Sequence, residues 1–162
     1  MSNIFFPDSL ILNESSYQLT KAEIEDLIPY DFVGKKDFVE FYLKYNGVIF
    51  PNGAFYFRDK FYDVSQNDYN MLDVGAFLSL VGDSNESTIF SLWDSIKNNA
   101  SVQDFANKHI PFSLDSSGNF FWIEISSGKI FYLPMESPED VCLVAPTFQD
   151  FYSNIQADFK RY

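Results

Sequence analysis

Aromatic residues recur at helical spacing near the start of the chain. Four of them fall at positions i, i+3, i+4 and i+7, which places them on one face of a helix. We expect this helix to end at Asn46 and Gly47, because glycine readily adopts the left-handed conformation found after helices. The four aromatic residues are Phe38, Phe41, Tyr42 and Tyr45.

Start signals predict further helices. Thr20 and Glu23 have the spacing of a capping box, which predicts a helix that ends near Pro29. Apolar periodicity predicts another helix over 87–98 and a shorter one over 102–108. Thr147 is the predicted cap of a closing helix, and the apolar face of that helix contains Phe148, Phe151, Tyr152, Ile155 and Phe159.

The second half of the chain has the pattern of a β-meander. Runs rich in Phe, Ile, Trp and Tyr alternate with short polar segments that end in Gly118 and Gly128, where glycine suits hairpin turns. Two earlier strands are predicted over 54–58 and 73–81. The predicted strands of the meander cover 110–114, 119–125, 129–133 and 141–144.

This order of elements predicts an α+β fold, mainly an antiparallel sheet flanked by helices. No internal repeat, heptad series or low-complexity tract interrupts the 162 residues, and this length is ordinary for one domain. We therefore expect a single domain over 1–162, with about the first 18 residues at its periphery.

The net charge is −12, and the acidic residues are unevenly distributed. The segments 62–96 and 130–159 contain no Lys or Arg, although the first carries six acidic residues and the second carries five. Such a surface repels phosphate backbones, which argues against a nucleic-acid partner. It would attract a basic protein and steer its approach. The alternative is that the acidity only keeps the protein in solution.

Residues suited to catalysis near neutral pH are scarce. His109 is the only histidine and Cys142 the only cysteine, so the chain cannot form a disulfide or a cysteine-based zinc site within itself. A nucleophile pair would require these two residues to meet in space. Two calcium-loop-like segments start at Asp83 and Asp115, but their spacing is wrong and we interpret them as turns. No nucleophile elbow, phosphate-binding glycine loop or HExxH motif is present. We expect no catalytic residue, no metal and no cofactor.

Some tyrosines fall outside any periodic pattern and lie beside the acidic residues. A surface that mixes tyrosine with aspartate suits a protein interface, because aromatic anchors supply much of the binding energy. Ordinary packing beneath loops is the alternative. The candidate partner-binding residues are Tyr62, Asp63, Asp68, Tyr69, Asp83 and Glu86.

Three segments of the chain occur in a distinctive order. The first is the helix of 37–47, the second runs from IPFS through GNFFWIE to GKIFY over 110–132, and the third is TFQDF over 147–151. In this order and spacing they resemble the SUKH superfamily of bacterial toxin-immunity proteins. The residues that carry the resemblance are Phe38, Phe41, Asn46, Gly47, Pro111, Phe112, Gly118, Asn119, Trp122, Gly128, Phe148 and Phe151.

The resemblance implies a non-catalytic immunity protein that blocks a cognate toxin, often a nuclease, delivered by a neighbouring bacterial cell in contact-dependent inhibition. The same superfamily includes regulatory scaffold proteins, such as a fungal regulator of cell-wall synthesis. An adaptor that binds an endogenous partner is therefore the alternative. The expected partner is a basic protein toxin, with no nucleic acid and no membrane, and we expect a monomer.

The start of the chain does not resemble a secretory signal, because a basic segment followed by a long apolar run is missing. The longest apolar run, 74–81, has the length of a strand and falls far short of the ~20 residues that cross a bilayer. We expect a cytoplasmic protein.

Overall fold

A computed structural model of the chain describes residues 5–15, 17–66, 68–82 and 88–158. Within these ranges the chain combines helices with antiparallel sheets, which confirms the predicted α+β class. The helices are α1 (Lys21–Leu27), α2 (Lys35–Lys44), α3 (Ile89–Lys97), α4 (Gln103–Lys108) and α5 (Phe148–Ser153).

The strands form two sheets. The strands are β1 (Asn13–Glu14), β2 (Val48–Ile49), β3 (Phe55–Phe57), β4 (Met71–Asp73), β5 (Ala76–Phe77), β6 (His109–Leu114), β7 (Phe120–Glu124), β8 (Ile130–Leu133) and β9 (Cys142–Ala145). The smaller sheet consists of β3 and β4. The main sheet has the order β1-β2-β5-β6-β7-β8-β9, and each neighbouring pair in either sheet is antiparallel. The last four strands of the main sheet are consecutive in the chain, as the predicted meander requires.

One face of the main sheet carries an aromatic core beneath α2 and α5. Phe41 of α2 contacts Phe77 of β5, and both rings of α5 contact Phe77 and Phe112, with centroids 4.8 to 6.3 Å apart. The two rings of α5 are Phe148 and Phe151. Rings packed at this distance bury large apolar areas and favour edge-to-face geometry. The apolar face predicted for α2 is therefore the face that closes the core.

The opposite face is covered by α3 and α4, whose contacts with the sheet centre on β6. Trp93 ties the two helices together, because its indole N–H donates to the carbonyl of Ala106 at 2.7 Å. Phe105 of α4 packs edge to face on Trp122 of β7 with centroids 5.3 Å apart. These two helices thus lie over the middle of the sheet.

The predicted caps are present. The hydroxyl of Thr20 accepts the N–H of Glu23 at 3.2 Å, and the Glu23 carboxylate accepts the N–H of Thr20 at 3.0 Å, which completes the capping box of α1. Thr147 likewise accepts the N–H of Asp150 at the start of α5. That helix ends at Ser153, earlier than predicted, and Phe159 lies outside the described residues.

The single strand predicted over 73–81 is wrong. The chain leaves the small sheet after Asp73 and enters the main sheet at Ala76. In between, the N–H of Val74 donates to Ala54 and the N–H of Gly75 donates to Leu114, both at 2.8 Å. Val74 therefore bonds to the residue before β3, and Gly75 bonds to β6 of the main sheet. A continuous apolar run gives no sign of this change of partner.

The predicted role of Asn46 and Gly47 needs correction. Helix α2 already ends at Lys44, and Gly47 has a φ of +87° for another reason. A Cβ there would lie 2.5 Å from the Ser79 hydroxyl oxygen, so only glycine lets the backbone pass. The side-chain oxygen of Asn46 accepts the N–H of Leu80 at 2.9 Å. The pair thus docks the chain near 79–81 against the end of α2.

The start of the chain enters the core. Phe5, Phe6 and Leu10 are buried, although we expected this segment at the periphery. The rings of Phe5 and Phe6 lie 5.5 and 5.8 Å from that of Phe41. These side chains extend the aromatic core under α2.

Candidate protein-binding surface

The segment 58–70, described except for residue 67, runs beside β9, the strand at one edge of the main sheet. It starts with a short 3-10 helix, Arg58–Lys60, and Arg58 is buried. The guanidinium donates through Nε to the carbonyl of Leu143 in β9 and through one terminal nitrogen to the carbonyl of Tyr69, both at 2.5 Å. The first bond fastens the segment to the main sheet, and the second joins the two ends of the segment.

Three of the candidate partner-binding residues contact this arginine, and a fourth lies next to one of them in the chain. The Asp68 carboxylate lies 3.5 Å from the guanidinium, and the N–H of Tyr62 donates to the Arg58 carbonyl at 3.1 Å. Asp63 follows Tyr62 and is exposed. The backbone carbonyl of Tyr69 accepts the hydrogen bond from the Arg58 guanidinium described above. The other two candidates, Asp83 and Glu86, lie outside the described residues.

The two tyrosines of this group are exposed to different degrees. Tyr69 is 43% exposed, and its ring packs edge to face on Tyr132 with centroids 5.9 Å apart. Tyr62 is partly buried, and burial raises the pKa of its hydroxyl, with Asp150 adding to the effect and Arg58 opposing it. Tyr69 is thus the better placed to contact a partner.

The two cation-free segments of the sequence come together at this place. The ring of Tyr69, from the first segment, packs on that of Tyr132, from the second. Burial raises the pKa of the Tyr62 hydroxyl and of the Cys142 thiol, and Asp150 adds to the first effect while Asp68 and Asp140 add to the second. The sequence showed both acidic segments but not that they adjoin. We name this region the acidic loop surface, and it comprises Tyr62, Asp63, Asp68, Tyr69, Asp140 and Asp150.

Comparison with known families identifies the fold. A family model described as the SMI1 / KNR4 family (SUKH-1) matches residues 35–154, which is most of the chain. The chain belongs to the SUKH-1 family. The comparisons with curated proteins and with solved structures found no significant match.

The residues that carry the resemblance have structural roles in this SUKH-1 chain. The aromatic ones are buried, and three of the glycines have positive φ angles between +77° and +88°. Only glycine adopts such angles without strain. The buried aromatic residues are Phe38, Phe41, Phe112, Trp122, Phe148 and Phe151, and the glycines are Gly47, Gly118 and Gly128.

His109 and Cys142 do not form a catalytic pair. They belong to β6 and β9, which are three strand spacings apart, or about 14 Å. Both are buried. Burial lowers the pKa of His109, although the Phe105 carbonyl, 2.7 Å from Nδ1, and the Glu124 carboxylate, 3.3 Å from Nε2, partly offset this. Burial also raises the pKa of the Cys142 thiol to about 11, which leaves it unreactive.

Asp115 closes a turn, as predicted. Its Oδ1 accepts the N–H groups of Ser117 and Asn119, each at 2.9 Å, and its Oδ2 accepts the Tyr132 hydroxyl at 2.6 Å. The side-chain amide oxygen of Asn119 in turn accepts the N–H of Met135. The carboxylate is therefore occupied by the protein itself.

No cluster of three or more His, Cys, Asp or Glu side chains in the described ranges is arranged to hold a metal ion. No helix in the same ranges has the length and apolar character needed to span a membrane.

Proposed function

We propose that this SUKH-1 chain is a non-catalytic immunity protein that binds and neutralises a toxin with a basic surface in the cytoplasm. The observation that carries the proposal is the acidic loop surface, where two cation-free segments adjoin around a buried arginine. Family membership supports a binding role, because SUKH-1 proteins are generally non-catalytic.

The chemistry of the surface suits a cationic partner. Asp63 and Asp140 are exposed, and Arg58 is occupied by carbonyl groups and Asp68. Exposed carboxylates attract a basic protein over about a Debye length and raise the association rate. A nuclease toxin has a basic surface of this kind, because its substrate channel must bind phosphates.

The surface also offers apolar contact area beside its charges. Tyr69 is 43% exposed, and Met71, two positions further along the chain at the start of β4, is 46% exposed. Aromatic and methionine side chains are enriched where protein interfaces lose water, and they anchor the complex after charge has brought the partners together.

The first experiment is co-purification of the chain with the product of the gene next to its own. A complex with a toxin, together with restored growth of cells that express the toxin, would support the proposal. A complex with a non-toxic endogenous protein would instead identify the chain as a regulatory scaffold.

A pair of double variants tests the surface itself. In Asp63→Asn with Asp140→Asn, we expect association with the toxin to slow by about three- to tenfold at low salt, with a weaker salt dependence. Asp68 is left unchanged because its loss would leave Arg58 with an unpaired charge. The matched control, Asp94→Asn with Asp104→Asn, removes two exposed acids from α3 and α4 and should have little effect. Equal slowing in both pairs would show that only the total charge matters.

A further inference from the structure

A groove lies at the other edge of the main sheet, beyond the helices that cover β6. It has a volume of about 660 Å³ and is bordered by β1, β2, β5 and the chain near 79–82. Asn13, Ile49 and Ala76 are cross-strand partners, so they share one face of the sheet and line the groove together. The next residue of β5, Phe77, points to the other face of the sheet, where its ring packs in the aromatic core. The groove thus opens on the opposite face.

The backbone at this edge is available for pairing. The N–H of Phe50 donates to the carbonyl of Gly75, the residue before β5. Successive residues of a strand form their hydrogen bonds on opposite sides, so the backbone groups of Ile49 point toward β1. Asn13 is the partner of Ile49, so the backbone groups of Asn13 bond to β2. The backbone groups of the next residue, Glu14, therefore point away from the sheet. In the part of the chain that the structure describes, no strand pairs with this side of β1.

Exposed apolar side chains surround the edge. Ile49 is 57% exposed, Ile11 is 53% exposed and Tyr17 is 47% exposed. Two of them, Ile49 and Tyr17, line the groove. An exposed apolar group beside free backbone donors and acceptors is typical of sites that receive an additional strand.

The charge around the groove has one sign. The residues that line the groove, within 13–15, 17, 47–49 and 76–82, include no Lys or Arg, and Glu14 is one of them. The hydroxyl of Tyr17 donates to the Glu23 carboxylate at 2.5 Å, which brings a second acid to the same end. A ligand that carries cations along one side of an extended chain would complement this arrangement.

We propose that the groove and the free edge of β1 bind an extended, basic segment of a partner protein. The segment adds a strand beside β1 through the outward backbone groups of Glu14. Its apolar side chains cover Ile49, and its Lys or Arg side chains lie near Glu14 and Glu23. This surface is separate from the acidic loop surface, and the inference does not depend on the immunity role.

Peptide titration followed by NMR tests the site directly. The probe is a nine-residue peptide of alternating Val and Lys, and its control has Glu in place of Lys. We expect the Lys peptide alone to shift the amide signals of residues 12–15, 48–49 and 76–79. Equal binding of the Glu peptide, or shifts that cluster on the acidic loop surface, would overturn the proposal.

Two matched pairs of variants separate backbone pairing from charge and from apolar contact. Glu14→Gln removes the charge only, whereas Glu14→Pro also removes the outward N–H, which an edge strand tolerates. We expect binding of the Lys peptide to weaken about twofold in the first variant and more than about tenfold in the second. Ile49→Thr should weaken it by about fivefold, whereas Val33→Thr, at an exposed position outside the groove, should not.

Three results with these variants would contradict the inference. The first is equal affinity in Glu14→Pro and Glu14→Gln, and the second is an equal effect of Ile49→Thr and Val33→Thr. The third is a dimer of the chain in sedimentation that Ile49→Thr dissociates, because the occupant would then be a second copy. If Glu14→Pro fails to fold, two measurements still test the proposal. They are the NMR shifts of the unmodified protein and the comparison of Ile49→Thr with Val33→Thr.

Discussion

The two edge strands of the main sheet differ in how their outer backbone is protected from pairing. At β9, the segment 58–70 lies against the strand and is fastened by Arg58. At β1, two residues pair with β2 and the next backbone groups face outward. Sheets avoid unwanted pairing either by covering an edge or by keeping it short and charged. This protein uses the first solution at one edge and the second at the other.

The difference separates two kinds of recognition. The covered edge presents the side chains of the segment that covers it, so its contacts depend on charge and on Tyr69. The short edge presents backbone, so its contacts depend on hydrogen bonds and on the apolar floor around Ile49. Substitutions should therefore affect the two edges independently, since distant sites with no shared partners usually contribute additively.

The largest loss of stability is expected when Arg58, which binds the segment 58–70 to β9, is replaced. Arg58→Met leaves the carbonyls of Leu143 and Tyr69 without their donor and Asp68 without its counter-ion. We expect the free energy of unfolding to fall by about 3 kcal/mol in urea denaturation. Lys60→Met, in the same 3-10 helix but exposed, should cost less than about 0.5 kcal/mol. Similar losses in the two variants would show that Arg58 does not fasten the edge.

Cys142 reports whether the edge has opened. With a thiol pKa of about 11, only about one thiol in a thousand is ionised at pH 8, and the residue is buried. We expect iodoacetamide to modify the unchanged protein slowly and Arg58→Met at least about ten times faster. Fast modification of the unchanged protein would mean that the segment does not protect β9.

At the β1 edge, the largest effect should come from Gly47, which precedes β2. Gly47→Ala places a methyl group 2.5 Å from the Ser79 hydroxyl oxygen at a φ of +87°. We expect a loss of about 3 kcal/mol, from left-handed strain and the clash together. Gly118→Ala is the control, because its φ is +88° but nothing lies within 4 Å, so about 1 kcal/mol of strain remains. Equal losses would rule out the close approach as the cause.

A smaller effect is expected where the small sheet meets β9, at Tyr56 of β3. The hydroxyl of Tyr56 donates to the carbonyl of Val144 at 2.7 Å, and both groups are buried. Tyr56→Phe should lower the free energy of unfolding by about 1 kcal/mol in thermal or urea denaturation. Tyr30→Phe, at an exposed tyrosine, should change it by less than about 0.3 kcal/mol.

The smallest effect is a pH dependence in the middle of the sheet, between the two edges. The pKa of His109 is lowered in the folded protein, chiefly by burial, so the unfolded chain binds the proton more readily. The stability contributed by the neutral imidazole is therefore present above the unfolded pKa of about 6.5 and decreases as the pH falls below it. Urea denaturation at pH 7.5 and 5.5 measures the difference.

Two substitutions check the source of that pH dependence. His109→Phe should reduce it, because the titrating group is gone and the ring can still stack on Phe105. Glu124→Gln should increase it, because the carboxylate partly offsets the lowering of the histidine pKa. An unchanged slope in both variants would assign the dependence to the carboxylic acids of the surface.

Local signals predicted the elements that depend on local interactions. The strands of the meander were predicted to within one or two residues, because Gly118 and Gly128 mark the turns between them. The capping box of α1 was predicted because both of its bonds join residues three apart. The strand over 73–81 was not predicted correctly, because the change of sheet at Gly75 depends on Ala54 and Leu114, which are distant in sequence.

The candidate surface was predicted only in part for the same reason. Composition identified Tyr62, Asp63, Asp68 and Tyr69, since they lie within one short segment. The role of Arg58 was missed, because its acceptor in β9 is 85 positions away. The groove at β1 was missed as well, because it forms from three segments that no sequence motif connects.

The change of sheet after β4 also sets how far the two binding surfaces can influence each other. Val74 and Gly75 alone separate Met71–Asp73, which borders Tyr69, from Ala76–Phe77, which lines the groove. However, the N–H of Val74 bonds to Ala54 and the N–H of Gly75 bonds to Leu114, so each strand is held by its own partners. Because coupling between two sites requires an element whose state both ligands change, we expect a ligand at one surface to leave the affinity at the other unaltered.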